Sequence, residues 1–473
     1  MTRPSPPPST PDYSPRQGYL DAAPNGIAAR SAWSRPAAPG QGVTVCDLEY
    51  AWDLAHQDLP AVTEMIPGGS SPGDPLGSVD HGTAVLGEIV ALADGMGVTG
   101  AAHGASAIVV PVFLDGARRL SVAITAAVAR LRPGDVILIE QQVAGPRHAG
   151  RGPDDQFGLL PIEWIRSAYE AILTAVGNGI HVVEAAGNGR QDLDDPLYTV
   201  SPGDHAPFTP EHDSGAIIVG ASDIPRAFGG VVADRSRLSG SNYGSRLDVQ
   251  GWGFGVTTLG YGDLSNSAPD GSQSYTADFG GTSAASAMVA GAVAILEGEY
   301  RAATGAPLAP SILRARLVSA GTPQQSGRYP ASQRIGPRPN VSGVDVAGLA
   351  APPDFAMGAM TPNPMYRSVT IRLSLPNPAT VRCTVFDPTR PPARDARRRF
   401  ARRRHARAVV ERARPRGERD RERGVLLSAV GRRARGHEPF RPHSSRRSGS
   451  QSREQRGRPA MSGGREEKER RRA

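Results

Sequence analysis

Four short segments of this 473-residue chain carry side chains that could perform nucleophilic chemistry. The segment "VTVCDLEYAWDLAHQDL" offers Asp47, "DHGTAVLGEI" offers His81, "VVEAAGNG" offers Asn188, and "GGTSAASAMVAGA" offers Ser283. A serine hydroxyl is a weak nucleophile near neutral pH unless a histidine takes its proton during attack. A carboxylate that holds the histidine in one tautomer and stabilises its charged form completes such a set. Each piece also has a plainer reading. Asp47 could cap a turn, His81 could simply open a helix, Gly187–Asn188–Gly189 could serve a turn that needs positive φ, and Ser283 could cap a helix. The cap reading leaves the small-residue run after Ser283 unexplained, and the joint reading needs only one cause for all four.

These residues need a frame. Short apolar runs alternate with amphipathic stretches between about 40 and 300. Strands are predicted at 42–48, 105–113, 135–142, 180–189 (a strand with its turn) and 215–223, and helices at 81–93, 121–131, about 162–179 and from 283 onward. Strand–helix–strand order with apolar strands predicts an α/β domain, a doubly wound and mostly parallel sheet covered on both faces. In such a sheet the strand C-termini and the following helix N-termini share one edge, where ligands bind. Asp47 is expected at a strand end, His81 and Ser283 at helix starts, and Asn188 in the turn after a strand. Cys46, next to Asp47, alternates to the other face and reads as a small buried hydrophobe.

In their order Asp, His, Ser, these motifs resemble the subtilisin-like serine peptidases. The likeness extends to "HQDL" (56–59), to "AIIVGASD", and to "LSGSNYGSRLDVQGWG", and spans roughly residues 18–320. It implies a serine endopeptidase that works through an acyl-enzyme, with Asp47, His81 and Ser283 as the triad. It also implies the Asn188 amide and the Ser283 backbone N–H as oxyanion donors, a peptide or protein substrate, secretion to the cell exterior or surface, and a monomer. No cofactor is implied. Structural calcium is common in the family, and Asp58 is the candidate ligand here, whereas His56, His103 and His181 lack metal-ligand spacing. The chain departs from the family at Ala287, where proline is usual after the serine, and at Glu140–Gln141–Gln142, where Ser-Leu-Gly is usual in the substrate-binding edge.

Charge divides the molecule. Residues 391–473 hold 28 of the 54 basic residues and 10 of the 46 acidic ones, which puts +18 in the tail and leaves −10 for the first 390 residues. The overall +8 is therefore no nucleic-acid footprint of the folded part. Two distant cysteines make no disulfide framework, and no apolar run is long enough to span a bilayer. The expected organisation is a flexible Pro-rich lead (1–17), a peptidase domain (18–350), the start of a β-sandwich (351–390) and a disordered Arg-rich tail (391–473). No signal sequence opens the chain, and too few residues precede the first strand for a folded prodomain. The sandwich segment resembles the immunoglobulin-like sorting domains of secreted bacterial proteins. "ERGVLL" (422–427) can arise by a two-base shift from a GC-rich run encoding Ala-Ser-Gly-Val-Tyr-Phe, so the tail is read as a frameshift product. Two other readings stay open at this level: a catalytically silent peptide binder on the same fold, and a polyanion binder acting through the tail.

Overall fold

A computed structural model describes residues 10–69, 71–73, 77–152, 154–199, 206–346 and 348–349, with the backbone of a few further strand segments. Seven strands form the central sheet: β1 (Thr44–Glu49), β2 (Thr63–Glu64), β3 (Ser106–Pro111), β4 (Val136–Ile139), β5 (His181–Ala185), β6 (Ile217–Ser222) and β7 (Val249–Trp252). Their order is β7-β6-β5-β4-β1-β3-β2, and every pairing is parallel. The reversal of direction on either side of β1 is the switch point that opens a crevice at the strand C-termini.

Near-continuous burial along the strands follows from helices on both faces. On one face Val45, Val109, Leu138, Val183 and Val219 pack with α1 (Asp80–Val90) and the later helix Gly281–Thr304. On the other, Cys46, Leu48, Ile137, Ile139 and Ile218 pack with α2 (Leu120–Arg130) and α3 (Arg166–Gly177). Alternation along β1 therefore sends Cys46 and Leu48 one way and Val45, Asp47 and Glu49 the other, toward α1 and the helix Gly281–Thr304. Cys46 is a buried free thiol, as its alternation implies.

The helix Gly281–Thr304, here α4, is buried through most of its length. Small side chains make that possible. A Cβ at Gly251 of β7 would stand 2.5 Å from the Ala285 carbonyl oxygen, so strand and helix touch backbone to backbone. The expectation that no run is apolar and long enough to span a bilayer fails for α4, which among the described residues alone has that length and character, but 94% of its apolar window lies inside the protein core.

The strand 135–142 expected from sequence ends at Ile139, and the helix 81–93 ends at Val90. Several features have no counterpart in the expected order, among them β2, β7 and two further small sheets. Gln142–Ala144 pairs antiparallel with Leu159–Pro161, and Val256–Leu259 and Ser265–Asn266 flank Ser274–Phe279. Beyond residue 350, backbone strands run at Ser368–Ser374, Val381–Phe386, His405–Glu411 and Leu426–Gly431. The first two fall where the sandwich was expected and the last two within the expected tail. A short strand, Ala356–Met357, pairs antiparallel with the first of these strands, and the remaining residues of both segments, and of the Pro-rich lead before residue 10, lie outside the described residues.

Candidate active site

One cleft of 720 Å³ opens at the C-terminal edge of the sheet and is lined by Glu49, His81, Glu140, Asn188 and Ser283 together. His81 is the second residue of α1, and about a third of its side chain faces the cleft. Its ring meets Phe279 edge-on, with centroids 5.4 Å apart at 78°. That contact fixes the plane of the imidazole.

The carboxylate that holds His81 is Glu49, not Asp47. Glu49 Oε2 lies 2.8 Å from His81 Nδ1. Its other oxygen accepts hydrogen bonds from the Gln141 amide at 2.8 Å and the Tyr50 backbone N–H at 2.7 Å. Asp47 lies two residues inside β1, fully buried, and accepts a 2.6 Å hydrogen bond from the Trp52 indole N–H. The strand does not end at Asp47 but runs on to Glu49, so the acid at the sheet edge is the later one. Both point to the same face because they are two apart.

Burial alone would lower the His81 pKa. The Glu49 carboxylate outweighs it, through its charge and its hydrogen bond, with a smaller contribution from Asp47, and the net shift is upward. Asp47 is raised to about 7, first by burial and then by the charge of Glu49.

The nucleophile side is built from the start of α4. Gly280 is extended, and Gly281 adopts φ +77°, a conformation that suits glycine. A Cβ on Gly281 would also crowd the Asn188 amide at 3.3 Å. Ser283, 7% exposed, is the third residue of the helix and lines the cleft. Its N–H belongs to the first turn, where helix geometry supplies no acceptor four residues back within the helix. Asn188 is held by its carbonyl end, since Oδ1 accepts from the Thr282 backbone N–H at 3.0 Å and from the Thr282 hydroxyl at 3.1 Å. Its backbone N–H donates to Gln142 Oε1 at 2.8 Å. The amide NH₂ is thereby left as the free donor end, beside Ser283.

Thus His81, Asn188 and Ser283 share one cleft, and Asp47 lies beneath it, outside the lining. Sequence reasoning missed Glu49 and Thr282, and it assigned Gln141 to the substrate-binding edge where the structure has it donating to Glu49. The available signal for Glu49 was a second carboxylate on the same strand face, one pleat nearer the edge. Thr282 gave none, because its role depends on which segments meet.

No group of three or more potential metal-ligating His, Cys, Asp or Glu side chains occurs among the described residues. Asp58 is fully buried, with Oδ2 accepting the Val98 N–H at 2.8 Å and Oδ1 without a partner. Burial and then the nearby Asp94 charge hold its carboxyl at about 7 despite the Val98 hydrogen bond. His56, His103 and His181 bind protein groups instead, His181 pairing with Glu297 at 3.1 Å in the core.

A parallel sheet with a serine, a carboxylate-paired histidine and an oriented amide at its switch point defines the class of nucleophilic serine hydrolases. The chain belongs to the subtilase family of peptidases, whose pattern it matches over residues 40–336. Among solved structures it is similar to a protease from Pseudoalteromonas arctica PAMC 21717, at 21% identity and a TM-score of 0.49, with 72% of this chain and 99% of that one covered. It is also similar to a cold-adapted subtilisin-like serine proteinase, at 20% identity and a TM-score of 0.43, over 65% of this chain and 90% of that one. No curated protein matches the chain.

Proposed function

We propose that the protein is a serine endopeptidase in which Glu49, His81 and Ser283 form the triad and Asn188 with the Ser283 N–H forms the oxyanion hole. The observation that carries this reading is the 2.8 Å contact between His81 Nδ1 and Glu49 in the cleft that also holds Ser283 and Asn188. With Nδ1 engaged by the carboxylate, Nε2 is left to accept the Ser283 proton as Oγ attacks the peptide carbonyl. The carbonyl π electrons move to oxygen, where the Asn188 amide and the Ser283 N–H receive the negative charge. His81 then returns the proton to the amine as the C–N bond breaks, leaving an acyl-enzyme. Water attacks the ester by the same route and restores the serine. Glu49 stays ionised throughout and stabilises the imidazolium.

The substrate is a peptide or protein, the chain acts as a monomer, and secretion is the compartment its family favours. No cofactor takes part in these steps. A structural calcium ion would take Asp58 as its candidate side-chain ligand, the described residues gathering no group of three ligating side chains, and would stand apart from the chemistry. A chelator should then lower Tm in the native protein and leave Tm unchanged in Asp58→Asn.

The test of the activity is digestion of an unstructured polypeptide, with mass spectrometry of the products. Internal cleavages by the native chain, absent in Ser283→Ala, are expected. Release of terminal residues alone would overturn the endopeptidase assignment, and equal cleavage by Ser283→Ala would overturn the nucleophile.

A further inference from the structure

Three carboxyl groups crowd the acid side of the cleft. The register pairs Asp47 with Leu138 and Leu48 with Ile139, so Glu49 and Glu140 are next in line where β1 and β4 end. Pleating puts Leu138 and Glu140 on the face shared by Asp47 and Glu49. Asp47 is fully buried, Glu49 is 3% exposed and Glu140 is 5% exposed. Glu49 has two hydrogen-bond donors and His81, whereas Asp47 has the Trp52 indole on one oxygen only and neither oxygen of Glu140 has a donor.

We propose that Asp47 and Glu140 share a proton and act as a positioning pair that keeps Glu49 the acid facing His81. Counted as two carboxylates, Asp47 Oδ1 and both Glu140 oxygens have no donor. The register sets the two side chains diagonally across the β1–β4 pairing on one face, and two buried carboxyl groups so placed can bond to each other only if one of them carries a proton. Two like charges in one buried site cannot both ionise without a large penalty. The surroundings agree. Around the pair stand Glu49 from β1, Gln141 after β4, Trp52 from the loop after β1, and His81 from α1, with Cys46 turned to the opposite face. Arg118, which lines the same cleft, donates to the Gln142 carbonyl, and no Arg or Lys forms an ion pair with Asp47, Glu49 or Glu140 among the described residues. His81 is the one cation partner, and Glu49 occupies it. The direction of both shifts is upward, first from burial and then from neighbouring carboxylates.

A retained proton has two consequences. It removes the repulsion that would push Glu49 away from Gln141 and Tyr50, and it sets an alkaline limit. When the pair loses that proton at high pH, a second negative charge beside His81 makes the imidazole harder to deprotonate and displaces Glu49. Activity should fall there.

This inference rests on the reading of His81 as the base for Ser283, so the test includes two measurements that do not require catalysis. The first is an infrared difference spectrum at pH 7 between the native chain and Asp47→Asn/Glu140→Gln. A protonated-carboxyl stretch present only in the native chain is expected, and its absence overturns the pair. The second is the His81 ring titration by NMR, whose midpoint should fall by roughly one unit in the double variant through loss of neighbouring negative charge. An unmoved midpoint removes any electrical link to His81. For the rate itself, the alkaline limb of kcat/KM should move up by about one unit or disappear in each single variant, because neither can reach the doubly charged state. An alkaline limb unchanged in both would reduce the pair to packing. The single variants serve should the double variant fail to melt cooperatively. Loss of all hydrolysis in the native chain, with the infrared and NMR results as expected, would sink the peptidase reading alone.

Discussion

The two halves of the site are constructed differently. Ser283 and Asn188 are joined through one residue, since Thr282, next to the nucleophile, grips Asn188 from the turn after β5 with both its N–H and its hydroxyl. The acid half is assembled from four segments: β1 supplies Asp47 and Glu49, the loop after β1 supplies Trp52, the exit of β4 supplies Glu140 and Gln141, and α1 supplies His81. One half is fixed by the start of α4, the other by the register of β1 and β4. The nucleophile side should therefore respond to substitution in steps that follow each group's distance from the reacting atoms, and the acid side should separate Glu49 from Asp47.

Removing the nucleophile gives the largest effect. Ser283→Ala is expected to lower kcat by on the order of 10⁶, measured by progress curves on a chromogenic peptide. Glu49→Gln comes next, at about 10⁴ in kcat, because an amide favours the wrong imidazole tautomer. If Asp47→Asn matches that loss while Glu49→Gln is nearly active, the assignment of the acid is reversed. Asn188→Ala should cost on the order of 10²–10³ in kcat with little change in KM, as expected for a donor used chiefly in the transition state. Thr282→Val keeps the backbone bond to Asn188 and removes the hydroxyl one, so a fall of about tenfold is expected. A loss equal to that of Asn188→Ala would show the hydroxyl alone holds the amide.

The smallest effect concerns pH. Catalysis needs neutral His81, whose pKa is raised, so kcat/KM should fall on acidification with a midpoint above the ordinary histidine value of 6.5. Glu49→Gln should carry the residual activity to a lower midpoint, since the main group that stabilises the imidazolium is gone. A midpoint that does not move, or rises, contradicts the pairing of the two side chains.

Much of this was legible in the residues. The alternation of apolar strands and helices led to the parallel sheet, and "GGTSAASAMVAGA" placed Ser283 at a helix start because only small residues let α4 touch β7 at Gly251. His81 and Asn188 followed from their positions after a loop and a strand. The acid was not legible by the same route. "CDLE" presents two carboxylates on one strand face, and choosing between them requires knowing that β1 ends at Glu49 and that Gln141 arrives from β4. Asp47 was expected from the family's order Asp, His, Ser and from its place at a strand end. Its burial beside Glu140 is a tertiary fact, set by the register of strands about ninety residues apart. The hairpin at Gln142–Ala144 and Leu159–Pro161 was hidden likewise, because its strands are too short to show alternation.

The central claim is that Glu49 drives the His81–Ser283 pair. Its most direct test is the rate at which a fluorophosphonate probe labels the native chain, Glu49→Gln and Asp47→Asn, with the labelled residue mapped in each and cooperative melting confirmed. The account predicts labelling at Ser283 in the native chain and a fall of about 10³-fold or more in Glu49→Gln, with a much smaller fall in Asp47→Asn. Labelling of Glu49→Gln at the native rate, with labelling lost in Asp47→Asn, would contradict it.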